Sequence, residues 1–111
     1  MKMTMEEKTH LSFQMILHAG NARNLALEAM EKARVKDFYG AKTKMDEANG
    51  EYKIAHELQT GILVDFTNNP EMIADVLLTH AQDHLISAAT SIDLATEILI
   101  LREELENERN K

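Results

Sequence analysis

The chain has no cysteine in its 111 residues, one proline and four glycines. Without cysteine there can be no disulfide, no thiolate nucleophile and no zinc–thiolate centre, and the absence fits a reducing compartment. So few prolines and glycines leave few places to interrupt a helix. Basic residues are also scarce: 12 Lys and Arg stand against 19 Asp and Glu, for a net charge of -7. A nucleic-acid binder needs clustered cations to neutralise phosphates, and an anionic membrane surface needs the same, so the charge balance argues against both classes. No apolar run approaches the ~20 residues of a transmembrane helix. The segment from Met1 to Lys8 has no apolar core of the signal-peptide kind. The expectation is a soluble, cytoplasmic protein.

What remains is ordinary globular composition, 44% apolar and 28% charged, enough for one domain over residues 1–111 with a modest core. Thr4 and Glu7 form a capping box for a first helix, with Glu6 and Glu7 at the positive end of its dipole. Leu11, Met15, Ile16, Ala19, Ala22, Leu25, Ala26, Ala29, Met30 and Ala33 then recur at steps of three and four, which is helical spacing. The alanines predict close approach by a neighbouring helix. Gly20 costs about 1 kcal/mol in a helix interior, and a tight crossing at Ala19-Gly20 would account for it.

A break is expected at Val35-Lys36-Asp37, with Asp37 as N-cap of a second helix. Its stripe runs through Phe38, Ala41, Met45, Ala48, Tyr52, Ala55, Leu58, Ile62 and Phe66; Gly50 and Gly61 weaken it without stopping it. Thr67-Asn68-Asn69-Pro70 reads as a loop. A third helix is predicted from about Pro70 to Glu108, with Asn69 as cap, Pro70 as first residue and Glu71 in the first turn. At ~1.5 Å per residue it exceeds ~50 Å. The fold class is therefore all-α, an antiparallel up-down-up three-helix bundle.

The third helix carries two stripes. One follows Leu77, Ala81, His84, Ala88, Ile92, Ala95 and Leu99. The other follows Val76, Asp83, Thr90, Leu94 and Leu101, with Ser87, Ile98 and Leu105 between the two. Packing inside one bundle needs a single stripe. The second has heptad-like spacing, as a seam between subunits requires, so a homo-oligomer is expected.

Chemistry concentrates at His80-Ala81-Gln82-Asp83-His84 in that helix. His80 and His84 lie one turn apart. A neutral imidazole is nucleophilic near neutral pH, so His80 could accept a phosphoryl group with His84 orienting it. Gln82 does not share their face and could help only across a subunit boundary. Asp83 falls on the seam stripe. There its copies would repel and raise one another's pKa unless they share protons or a hard cation such as Mg²⁺. Three readings stay open: a phosphoryl acceptor, a metal site, and a polar patch on a bundle helix. Zinc on the histidine pair would need a third ligand that the neighbouring sequence lacks. His10, His18 and His56 read as packing or surface residues, and Arg102-Glu103-Glu104-Leu105-Glu106 as a solvated helix end.

The stretch His80-Ala81-Gln82-Asp83-His84-Leu85 resembles the enzyme IIA component of the lactose/cellobiose class of the bacterial phosphotransferase system. Three further motifs extend the likeness in order: Ala19-Gly20-Asn21-Ala22-Arg23, Asp37-Phe38 followed by Ala41, and Ala55-His56-Glu57-Leu58-Gln59-Thr60. The resemblance implies a homotrimer of three-helix subunits. It implies that His80 takes a phosphoryl group from the phosphocarrier HPr and passes it to a cysteine of enzyme IIB. It implies a divalent cation, Mg²⁺, held by Asp83 at the trimer axis, with Gln82 and His84 near the site. The implied transport substrates are β-linked disaccharides of the lactose, cellobiose and chitobiose class. Lys36, Gly61 and Ile86 depart from the family pattern. The alternative is a non-catalytic oligomeric interaction or regulatory module.

Overall fold

The computed structural model describes residues 3–69 and 76–111. It contains α1 (Met5–Arg34), α2 (Phe38–Asn68) and α3 (Val76–Arg109), and no strand among the described residues. The helices run up, down and up, in a rod of 62 × 20 × 19 Å. The predicted bundle is present. The expected start of α3 at Pro70, with Glu71 in its first turn, lies outside the described residues.

Local signals fix the helix ends. Thr4 Oγ1 accepts from the Glu7 N–H at 3.1 Å, and the Glu7 carboxylate receives the Thr4 N–H at 3.4 Å, so the capping box is formed. At the other end of α1 the Lys36 N–H donates to Ala33 O and the Asp37 N–H to Lys32 O. This pair of reverse bonds is a Schellman motif, whose pivot sits in the left-handed region. Lys36 is that pivot, with φ of 68°. Asp37 then caps α2, its Oδ1 accepting from the Gly40 N–H at 2.9 Å. A Cβ at Gly40 would collide with that carboxylate, so a larger residue there would make the Asp37 side chain shift.

The core is alanine-rich. Ala19, Ala22, Ala26, Ala29 and Ala33 of α1 meet Ala41, Ala48 and Ala55 of α2 and Ala81, Ala88 and Ala95 of α3, with Met15, Met45, Ile62, Leu78, Leu85, Ile92 and Leu99 filling the space between them. α1 packs extensively on both other helices, whereas α2 and α3 touch far less. Side chains this small let helix axes approach closely, and the large apolar residues left outside the core become available for other contacts.

Three expectations are corrected. Gly20 is only half-buried and a Cβ there would meet nothing, so the close approach belongs to Ala19 and not to Gly20. The inner stripe of α3 uses Leu78 and Leu85 at its N-terminal end, leaving Leu77 and His84 half-buried. At the end of α2, Phe66 is exposed and Asp65 is the buried residue. The Asp65 Oδ1 accepts from the Met3 N–H at 3.0 Å and from Asn69 Nδ2 at 3.1 Å. Asn69 is thus the C-cap of α2. The carboxylate is buried because it ties the start of the chain to the end of α2, a use of polarity that an apolar periodicity does not reveal. Its Oδ2 has no hydrogen-bond partner among the described residues.

Candidate functional site

His80 and His84 are held near the start of α3 by the buried Leu78, Ala81 and Leu85 of its inner face. His80 is exposed and His84 half-buried. Their Nε2 atoms lie 3.1 Å apart, and the rings meet edge to face with centroids 4.5 Å apart at 85°. Two imidazole nitrogens at that distance can share only one proton in a hydrogen bond. One ring therefore carries Nε2–H, and the other presents an Nε2 lone pair with its proton on Nδ1. The ring that donates Nε2–H keeps an unengaged Nδ1 lone pair, and in the exposed His80 such a nitrogen has the form a nucleophilic imidazole needs.

The expected constellation is only partly gathered. His80 and His84 come together. Gln82 is half-buried between the buried Ala81 and the exposed Asp83, off the histidine face. Asp83 is exposed on the outer row of α3 and makes no hydrogen bond or ion pair among the described residues. No group of three His, Cys, Asp or Glu side chains there could hold a metal ion. Among the described residues Asp83 is therefore not part of a ligand cluster.

The same outer row turns apolar further along. Leu94, Ile98, Leu101 and Leu105 are 36% to 59% exposed, at steps of four, three and four. α3 contains an 18-residue window of mean hydropathy 1.4, long and apolar enough to cross a bilayer by composition alone. Its apolar residues divide between an inner face in the core and this outer row, as expected of a helix with two packing surfaces.

The remaining histidines behave differently. His18 reaches across to α2, with Nδ1 2.5 Å from Glu51 Oε2; sequence spacing placed it beside the α1 stripe but gave no sign of that partner. His56 is exposed, its ring 5.9 Å from that of Tyr52. A groove of about 570 Å³ runs between α2 and α3 over Met45, Leu99 and Ile100, and neither histidine of the pair lines it. His80 thus stands on an open surface, accessible to a macromolecular partner.

Comparison with known proteins identifies the class of site. The profile of the family "PTS system, Lactose/Cellobiose specific IIA subunit" matches residues 10–103. The chain is 38% identical to the lichenan-specific phosphotransferase enzyme IIA component of Bacillus subtilis, over 94% of each sequence. Its fold superposes on the crystal structure of the PTS cellobiose-specific enzyme IIA from Bacillus anthracis with a TM-score of 0.86 at 37% identity, covering 95% of this chain and 94% of that one. It also superposes on the solution structure of the IIA(chitobiose)–HPr complex of Escherichia coli, with a TM-score of 0.80 at 32% identity, covering 90% and 97%. The matched span contains all four sequence motifs and the paired histidines. The chain therefore belongs to the lactose/cellobiose-specific IIA subunits of the phosphotransferase system, a family of phosphotransferase relay proteins.

Proposed function

We propose that this chain is a phosphocarrier in which His80 accepts a phosphoryl group from phospho-HPr and passes it to the cysteine of a cognate enzyme IIB. The His80–His84 pair carries this reading, because it orients an exposed imidazole in a chain of the IIA family. In the first step the His80 nitrogen attacks phosphorus and its N–P bond forms as the donor N–P bond breaks. The proton lost from the other nitrogen of His80 offsets the one taken up by the departing donor imidazole. In the second step a thiolate attacks phosphorus, an S–P bond forms as the His80 N–P bond breaks, and the departing imidazole takes up a proton to regain its free ring. His84 Nε2 accepts the His80 Nε2–H and so orients the ring with its other nitrogen free, and after transfer His84 can donate to a phosphoryl oxygen. Gln82 acts across a subunit boundary. The partner HPr is supported by the relative solved in complex with it.

The reading includes a homotrimer, because the outer row of α3 is apolar over Leu94, Ile98, Leu101 and Leu105 and needs cover. Around a common axis the Asp83 carboxylates would converge and hold a divalent cation such as Mg²⁺, which neutralises their mutual repulsion. The location is the cytoplasm, and the transported sugar is a β-linked disaccharide of the lactose, cellobiose or chitobiose class.

Incubation with phosphoenolpyruvate, enzyme I and HPr should add one phosphoryl group by intact mass, and the label should be acid-labile. Equal uptake by His80→Ala rejects His80 as acceptor. No uptake by the wild-type chain returns the non-catalytic interaction module. Replacing Asp83 with Leu should remove bound metal while keeping the oligomer; unchanged metal content discards the Asp83 assignment.

A further inference from the structure

The end of the rod opposite His80 gathers cations that the carrier reading does not use. Arg102, Glu106 and Arg109 recur at steps of four and three, so they share one face of α3. That face looks onto the turn between α1 and α2, where Lys36 Nζ lies 3.3 Å from Glu106 Oε2. The two sides enclose a cavity of about 230 Å³. Arg34, Lys36, Arg102 and Arg109 line it together with a single acid, Glu106, and Phe38 adds an apolar wall. Four cations thus face one carboxylate, in a chain whose net charge is -7.

Helix ends account for part of this set. Arg34 and Arg109 stand in the last turns of α1 and α3, where the negative end of the dipole favours a cation. Arg102 stands about two turns before the end of α3, and the dipole does not explain it. The one acid is already engaged, since its Oε2 meets Lys36 and lies 4.0 Å from Arg109 Nη1. Arg102 makes no ion pair among the described residues, although Glu106 follows it by one turn. Arg34 pairs with Glu31 at 2.6 Å, with both side chains mostly exposed. A pair of that kind contributes little, so Arg34 can exchange Glu31 for a ligand of higher charge.

Two guanidinium groups are thereby left for one anion. A carboxylate offers one charge and two oxygens, which a single arginine fork satisfies. A phosphate monoester offers close to two charges and three oxygens, enough to bridge two forks. The cavity falls below the size of drug-sized sites, which suits a small metabolite. We propose that this cavity binds the phosphate monoester of a small metabolite, with Arg102 and Arg34 on the phosphate and the organic part against Phe38. Glu106 faces the same anion and weakens its binding by repulsion. The site lies apart from His80 and stands independently of the phosphocarrier reading.

The test titrates the full isotope-labelled chain with glycerol phosphate, glycerol and lactate and follows the backbone amide resonances. Glycerol phosphate should shift the amides of the α1–α2 turn and of the last turns of α3, and leave those around His80 in place. Glycerol should shift nothing, and lactate should bind at least about tenfold more weakly than glycerol phosphate. Arg102→Gln should weaken glycerol phosphate binding by about tenfold, as the loss of a charged hydrogen bond does. Glu106→Gln should tighten it by about threefold, because the opposing charge is gone and two cations are released. A gap that merely separates flexible side chains would not give these opposite signs. Circular dichroism checks that both variants keep the fold, and His80→Ala should bind glycerol phosphate as the wild type does. Absence of shifts at millimolar glycerol phosphate, equal binding of lactate, an unmoved constant in Arg102→Gln or no tightening in Glu106→Gln overturns the proposal. Shifts centred on His80 would assign the phosphate to the phosphoryl-accepting site and overturn it equally.

Discussion

His18 and His80 sit on the same kind of helix in the same bundle, and they are set up for opposite purposes. His18 lies in the α1–α2 interface with about a fifth of its side chain exposed, and its ring contacts a carboxylate, Glu51, at 2.5 Å. His80 is exposed, and its partner is another imidazole. A carboxylate partner on the neighbouring helix orients a ring and occupies a nitrogen, which makes a cross-link between helices. An imidazole partner likewise engages one nitrogen, but the surface position leaves the rest of the His80 ring open to attack a phosphorus atom on another protein. Position in the bundle and the charge of the partner separate the structural histidine from the chemical one. Residue type and helix placement are the same for both.

The comparison breaks most sharply by removing each ring in turn. His80→Ala should abolish phosphoryl uptake from phospho-HPr and leave thermal stability within about 0.5 kcal/mol of wild type, as surface substitutions do. His18→Ala should do the reverse. It leaves Glu51 without its partner in a part-buried seam and should cost about 1 to 2 kcal/mol in chemical denaturation, with phosphoryl uptake by the folded protein retained. The partial exposure of both groups, 21% and 28% of their side chains, holds the estimate below the range for a fully buried charged hydrogen bond. Uptake lost in His18→Ala, or stability lost in His80→Ala, would erase the distinction.

How far each histidine could be read in advance follows from sequence separation. The His80–His84 contact is four residues long and follows from helical geometry alone. The capping box at Thr4 and Glu7 and the N-cap at Asp37 are equally local, and each formed where the residues indicated. The His18–Glu51 contact spans 33 residues and depends on how α1 and α2 are phased. Asp65 shows the same limit more strongly. Near the end of α2 both three- and four-residue steps from Ile62 are helical, and hydrophobicity alone chose Phe66. The fold chose Asp65, because the Met3 N–H, 62 residues away, needed an acceptor. Gly20 errs the other way. Its cost within the helix is local, but the reason assigned to it, a close crossing, required tertiary knowledge, and the space around it is empty. The roles of Asp83 and Gln82 lie a step further off, since one chain does not contain the surfaces they would meet.

A smaller change at the far end of the bundle serves as the control that keeps stability and chemistry apart. Lys36 holds the left-handed pivot of the α1–α2 turn at φ 68°, a region that costs a residue with a Cβ about 1 to 2 kcal/mol and glycine almost nothing. Lys36→Gly relieves that cost but also loosens the unfolded chain, which takes back roughly 0.5 to 1 kcal/mol. It further removes the ion pair of Lys36 with Glu106, 3.3 Å long and half-exposed on the lysine side, at a loss of a few tenths of a kcal/mol. The net gain should be about 0.5 kcal/mol, read as a higher denaturation midpoint at unchanged slope. Phosphoryl uptake should not move, because the turn sits at the opposite end of a 62 Å rod from His80. A fall in stability would mean that the Glu106 pair outweighs the backbone relief. The departure at Lys36 would then be a compensated feature of the turn, with the charge on α3 holding a backbone conformation that glycine would adopt unaided.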